Sequence, residues 1–238
     1  LQDIKSLTQE SFETGEAGFA WFWDGLAVAE KVVLSAIVEA SNESDLDKPG
    51  QHSHLEILKN CGVIITEDLR DAEKKLKDWG FVTTDSKVTI KLVGLWLQTK
   101  HSLATDIYEL EKQDERSQEL YKSGIDRKKS GEASDAANLF ASALIRNPNH
   151  LSAYLEVCDS LFQKKLWKDS IEYFQRGYKI APQKTYESFA EALFMYSKKL
   201  LLRGSFEEVS PCLIKAKKLD HRKEIYSEAA RLTAVKRL

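Results

Sequence analysis

The sequence predicts a mainly α-helical chain, with three helices closed by a small β-hairpin at its N-terminal end and about three stacked helix pairs with a capping helix behind them. Three observations carry this. Apolar residues recur at helical spacing between residues that start and stop helices. "FVTT" and "KVTIKL" alternate about a polar turn. A Phe, then a small residue three on, then a Pro five further on, occurs twice at an interval of 34 residues, ending at Pro148 and Pro182.

The first helical stretch is "WFWDGLAVAEKVVLSAIVEA", with a stripe through Leu26, Ala29, Val33, Ile37 and Ala40 that the Asn/Ser/Asp/Pro/Gly run at 41–50 breaks. Trp21, Phe22 and Trp23 in it are read as core, since clustered aromatics more often fill an interior than cage a ligand. A short helix around 53–60 ends at Gly62. Thr66 then caps "TEDLRDAEKKLKDWG", whose early acids and later lysines suit the helix dipole, and Gly80 stops it. Asp85 and Ser86 turn the hairpin. Helix, helix, helix, hairpin is the order of a winged helix, expected over residues 1–104. One further helix, about 92–113, should run on from the wing as a lever between the two halves, with 105–116 as the connection. Leu103 and Ile107 are its expected contact residues.

The repeat follows from aligning Pro148 with Pro182, which sets Gly124 over Cys158, Ala136 over Ser170, Phe140 over Phe174 and Ala143 over Gly177. Small residues at these positions let two helix axes approach, and the phenylalanines fill the space between successive pairs. This pattern resembles the tetratricopeptide repeat, a helix hairpin of 34 residues. "KKSGEAS" and "KKLWKD" supply the turns. The units are expected at 117–150, 151–184 and about 185–221. In the third, Leu193, Ser197, Val209, Leu213 and Ala216 fit if the first helix runs long to about 203, with Gly204 in the turn and Pro211 inside the second helix. "RKEIYSEAARLTAVKRL" spaces Ile225, Ala229, Leu232 and Val235 as a capping helix would.

Taken in order, "WFWDGLAVAEKVVLSAIVEA", the wing running into "KVTIKLVGLWLQTKHSL" and "SGEASDAANLFASALIRNPNHLSAYLEV" resemble the C-terminal part of bacterial STAND-type regulatory ATPases. The resemblance implies that a P-loop module precedes this region, that the winged helix holds that module open or closed, and that the repeats sense or recruit a partner. The chain opens inside a helix and is read as a piece of a longer protein. Within it no GxxxxGK(S/T) occurs, and "LLRGSFEE" lacks the lysine that would reach phosphates. No catalytic residues are nominated, and no ATP turnover is expected of this segment.

A net charge of -2 gives no general attraction to nucleic acid or anionic lipid. Three widely spaced cysteines, Cys61, Cys158 and Cys212, suggest neither a disulfide framework nor a metal site, and point to a reducing cytosol. His52 and His54 stand at i and i+2 and diverge on a helix, so they and Glu56 read as a polar loop entering a helix, with no metal and no cofactor expected. The third helix is the one that enters DNA in winged-helix regulators, and Lys74, Lys75 and Lys77 are the contacts it would use. Five acids share that helix with four bases, which opposes phosphate binding and makes a DNA-binding regulator the alternative reading. The lysines of "KAKKLDHRK" and "VKRL" read as a solvated outer face.

The expected partner site is the face presented by the first helix of each repeat. Tyr121, Ile125, Lys128 and Lys129 from the first unit would stand beside Leu155, Asp159, Phe162 and Gln163 from the second and Phe194, Lys198 and Leu201 from the third. With an apolar floor and lysines at one end, the groove would take an amphipathic helix or an extended peptide with an acidic end.

Overall fold

The computed structural model describes residues 2–44 and 53–220. The chain divides into two compact units, Leu1–Gln118 with Asn147–His150, and Glu119–Arg146 with Leu151–Leu238. Among the described residues it is helical apart from its connections and one antiparallel bridge between Val82 and Val88. None of the described helices is long and apolar enough to cross a membrane.

The first unit contains α1 (Gln2–Gly25), α2 (Val28–Ser44), α3 (His54–Asn60), α4 (Glu67–Asp78), α5 (Lys91–Lys100), α6 (Leu103–Asp106) and a 3-10 helix, Ile107–Gln113. The stretch expected as one helix from Trp21 onward is broken at Gly25, and the Ala27 N–H is captured by the Glu30 carboxylate at 2.7 Å. Beyond the break, every residue from Val32 to Val38 is buried. That helix is enclosed by α3, α4, α5, α6 and the 3-10 helix, so a one-sided stripe understates it.

Of the three aromatics assigned to the core, only Trp23 is deeply buried, its ring tilted against His101 with centroids 3.9 Å apart. Phe22 is half-buried against Phe81, and Trp21 is 82% exposed. The helix turns consecutive side chains about 100° apart, so three in a row cannot share one buried face.

Ser53 and Glu56 form a reciprocal capping box on α3, which gives Glu56 a structural task. His54 is buried with Nε2 3.2 Å from Glu73 on α4, while His52 lies outside the described residues. Burial alone would raise the Glu73 carboxyl, but the Lys77 hydrogen bond and His54 hold it below its usual value. Thr66 occupies the N-cap position of α4 without a side-chain cap bond, and Gly62 and Gly80 leave their helices at φ +82° and +74°.

The expected β-hairpin is reduced to the Val82–Val88 bridge, with Thr83 and Thr89 N–H groups bonded to Lys87 and Phe81 carbonyls at 2.8 and 2.9 Å. The second arm ends early because Lys91–Lys100 coils, burying Val93, Trp96 and Leu97 at helical spacing. The single lever helix over 92–113 is likewise not formed. His101 and Ser102 are extended, at φ/ψ -124/137° and -121/126°, and the chain restarts when the Ser102 carbonyl accepts from Thr105 and Asp106. The break leaves His101 beside Trp23 and Trp96 and sets Asp106 to accept a buried 2.6 Å hydrogen bond from Ser35. Leu103 and Ile107 are core residues of this unit.

The segment Asn147–His150 belongs to the first unit, although it connects two helices of the second. Asn149 accepts from the Ile64 N–H and donates to the Ile64 C=O, both at 2.8 Å, and Asn147 donates to the Leu110 carbonyl at 2.8 Å. His150 is fully buried, with Nδ1 3.9 Å from Glu111. Burial lowers its pKa, and Glu111 pulls the other way. The unfolded chain therefore takes up a proton near its ordinary pKa of about 6.5 that the folded chain refuses, so stability is full above that pH and falls as pH drops toward the depressed folded value. Urea midpoints of the first unit should decline with acidification below that pH, and His150→Gln should flatten the decline. An unchanged slope would refute the assignment.

The second unit is built from α7 (Glu115–Lys129), whose first turn counts with the first unit, α8 (Ala133–Arg146), α9 (Leu151–Gln163), α10 (Trp167–Ile180), α11 (Pro182–Leu202) and α12 (Phe206–Leu219). Its turns use Gly131 and Gly204 at φ +82° and +76°, and Lys165 takes the same left-handed conformation at +57° without being glycine. Phe140 and Phe174 are both buried, the latter stacked on Phe189 at 5.8 Å. Leu193, Ser197, Val209, Leu213 and Ala216 are all buried, in the long α11 and in α12, which carries Pro211. The expected capping helix lies outside the described residues.

Candidate functional site

A cleft of about 220 Å³ opens in the second unit, lined by Tyr121 from α7, Ser152, Leu155, Glu156 and Asp159 from α9, Phe174 from α10, and Lys184 and Thr185 from α11. Helices α7, α9 and α11 are the first members of their pairs, and their short turns return the chain so that residues from successive pairs meet. Leu155 and Phe174 supply apolar wall, and Tyr121, Ser152 and Thr185 bring hydroxyls. The Thr185 hydroxyl is committed to the Ala181 carbonyl at 2.8 Å.

The charges inside the cleft are ordered. Lys128 donates to Glu156 at 2.5 Å across α7 and α9. That bond raises the Lys128 pKa, against a smaller opposing effect of burial. Asp159, one helical turn beyond Glu156, has its carboxyl pushed above the usual value, first by lost hydration, with Lys128 relieving and Glu156 adding to the shift.

Of the nominated groove residues, Tyr121, Leu155 and Asp159 line this cleft. Lys128 stands beside it through Glu156. Ile125 packs on the Ala136, Phe140 and Val157 cluster, and Phe162 makes edge contacts with Trp167 and Phe174. Phe194 and Leu201 pack on Leu200, Val209 and Leu213, with Lys198 4.5 Å over the Phe194 ring. Lys129 lies 3.9 Å from Asp126, and Gln163 is exposed. Ser152, Glu156, Lys184 and Thr185 were not nominated. Ser152 holds the same repeat position as Gln118, Glu156 directly follows a nominated residue, and the two α11 residues were hidden by the uncertain register of the third unit.

Cys158 lies under this surface, its thiol pushed up to about 12 by burial, then by Asp159, so it is an inert packing group. A second cleft, about 290 Å³, lies within the first unit between Glu39, Ile57, Asn60, Cys61, Ser102, Leu103 and Ala104, and holds none of the nominated residues. Among the described residues no group of three or more His, Cys, Asp or Glu could hold a metal. On α4, Lys75 lies 3.7 Å from Glu30 and Lys77 2.7 Å from Glu73, which leaves Lys74 as the one nominated DNA contact for which no ion pair is seen among the described residues.

No family model matches the chain, and no curated protein matches it. Among solved structures it is similar to "MamA 41-end from Desulfovibrio magneticus RS-1", at 19% identity and TM-score 0.35, over 60% of this chain and 80% of that one. "MamA RS-1 ArsTM double mutant" aligns at 19% identity and TM-score 0.37 over the same shares. Superpositions this loose carry no argument about fold or function.

Proposed function

We propose that the chain is a non-catalytic interaction module whose helix-pair unit holds a peptide segment of a protein partner in the cleft of α7, α9 and α11. The observation that carries this is the cleft itself, where first helices of three successive pairs meet around an apolar wall and ordered polar groups. At about 220 Å³ it falls below the roughly 300–1,000 Å³ of small-molecule sites, which suits side chains of a peptide better than a whole metabolite. The sequence resemblance to STAND-type ATPases supports a regulatory setting, with the first unit as the winged helix of such a protein. The ion pairs on Lys75 and Lys77 disfavour DNA contact by α4.

Selection of a random dodecapeptide phage library on the intact chain tests the proposal. Enriched peptides should lose binding to Leu155→Asp and Tyr121→Ala variants that keep the parent circular dichroism. Peptides that bind those variants as well as the parent would place the site elsewhere and end this reading.

A further inference from the structure

The charges of the cleft determine which peptide it holds. We infer that the occupant presents an arginine or lysine side chain to Asp159 and Glu156, an inference that rests on the peptide-binding reading above and specifies it.

The lysine that would greet an acidic peptide is already engaged. Lys128 and Glu156 neutralise each other, so the cleft offers an acidic ligand no free charge at that end. Lys129 approaches Asp126 instead. Asp159 is the surplus: among the described residues no ion pair forms on it, although it lines the cleft one turn from Glu156. Its carboxylate has lost part of its hydration and is repelled by Glu156, and Lys128 offsets this only in part. An incoming cation relieves both penalties, whereas an incoming carboxylate deepens them.

Geometry favours a long basic side chain. Residues 156 and 159 are neighbours on one helix face, and a guanidinium with five donors in a planar fork can bond one carboxylate while reaching the other. Its methylenes would lie along Leu155. Lys184, on the first turn of α11, is the one cation that lines the cleft, and like-charge repulsion would keep the basic group away from it.

A positional-scanning dodecapeptide library, with pools fixed for Arg, Lys, Ala, Asp or Glu, separates the outcomes. Pools fixed for Arg or Lys at one position should bind the intact chain about tenfold tighter than Ala pools, the scale of one charge-assisted hydrogen bond. Asp159→Asn should erase that preference. Lys128→Met should strengthen it, because Glu156 is then freed; a groove built for acidic peptides would instead weaken. Tighter binding of Asp or Glu pools, or an Arg preference that survives Asp159→Asn, would overturn the inference. Equal binding of all pools, lost in Leu155→Asp, would overturn it and leave the peptide reading standing, whereas no binding by any pool would end both.

Discussion

Asn149→Ala is expected to destabilise the first unit by about 1–3 kcal/mol, since it removes two part-buried hydrogen bonds worth about 0.5–1.5 kcal/mol each. Asn149 is fully buried, and its amide meets both backbone groups of Ile64 at 2.8 Å, as a neighbouring strand would. Its own N–H is held by Asn147 Oδ1 at 2.9 Å, so the side chain is aimed before it bonds. Alanine removes the donor and the acceptor together. Asp keeps the acceptor but turns a carboxylate oxygen toward the Ile64 carbonyl, and should be at least as damaging. Trp21, Trp23, Trp79 and Trp96 lie in the first unit and Trp167 in the second, so urea unfolding of a Trp167→Phe background reads the first unit alone. A midpoint within error of the parent would show that this clamp contributes nothing.

Phe140→Ala should cost about 3–5 kcal/mol, the range for emptying a fully buried aromatic site, and it should reverse the sign of a second substitution. A Cβ placed on Gly124 would lie 2.5 Å from Phe140 Cε1 and 2.8 Å from Cδ1, closer than any contact allows. The ring is enclosed by the cluster around Ala136 and Val157 and has little room to withdraw. Gly124→Ala alone should therefore destabilise by about 1–3 kcal/mol through overpacking, despite a helix-propensity gain of about 1 kcal/mol. In the Phe140→Ala background the obstruction is gone, and Gly124→Ala should stabilise by up to about 1 kcal/mol. The 19F signal of Trp167 in 5-fluorotryptophan-labelled protein, followed in urea, measures all four corners of the cycle. Additive effects would mean that the approach of α7 and α8 does not depend on glycine.

Local chemistry made much of this legible. Gly124, Cys158, Phe140, Phe174 and Gly177 serve the close approaches their spacing implied, and a Cβ on Gly177 would stand 3.1 Å from Cys158 Sγ. Helix stops at Gly62, Gly80, Gly131 and Gly204 coincide with left-handed backbone. The misreadings share another cause. The helix expected over 92–113 satisfies every local rule, yet His101 leaves it for two indole rings and Asp106 for the Ser35 hydroxyl. Trp21 obeys the same propensities as Trp23 but is left largely exposed. The pairing of Lys128 was not legible either, because its partner Glu156 stands 28 residues away.

By itself, the order of residues determined the helices, their turns and the 34-residue repeat, because dihedral preference, capping and periodic burial act between residues a few positions apart. Only the folded arrangement decided where long helices break, which aromatics are covered, that Asn149 completes the first unit, and which carboxylate in the cleft remains to be matched. Those outcomes depend on partners distant in sequence, and a hydrogen bond or an ion pair has no signature in the chain until folding brings both of its ends together.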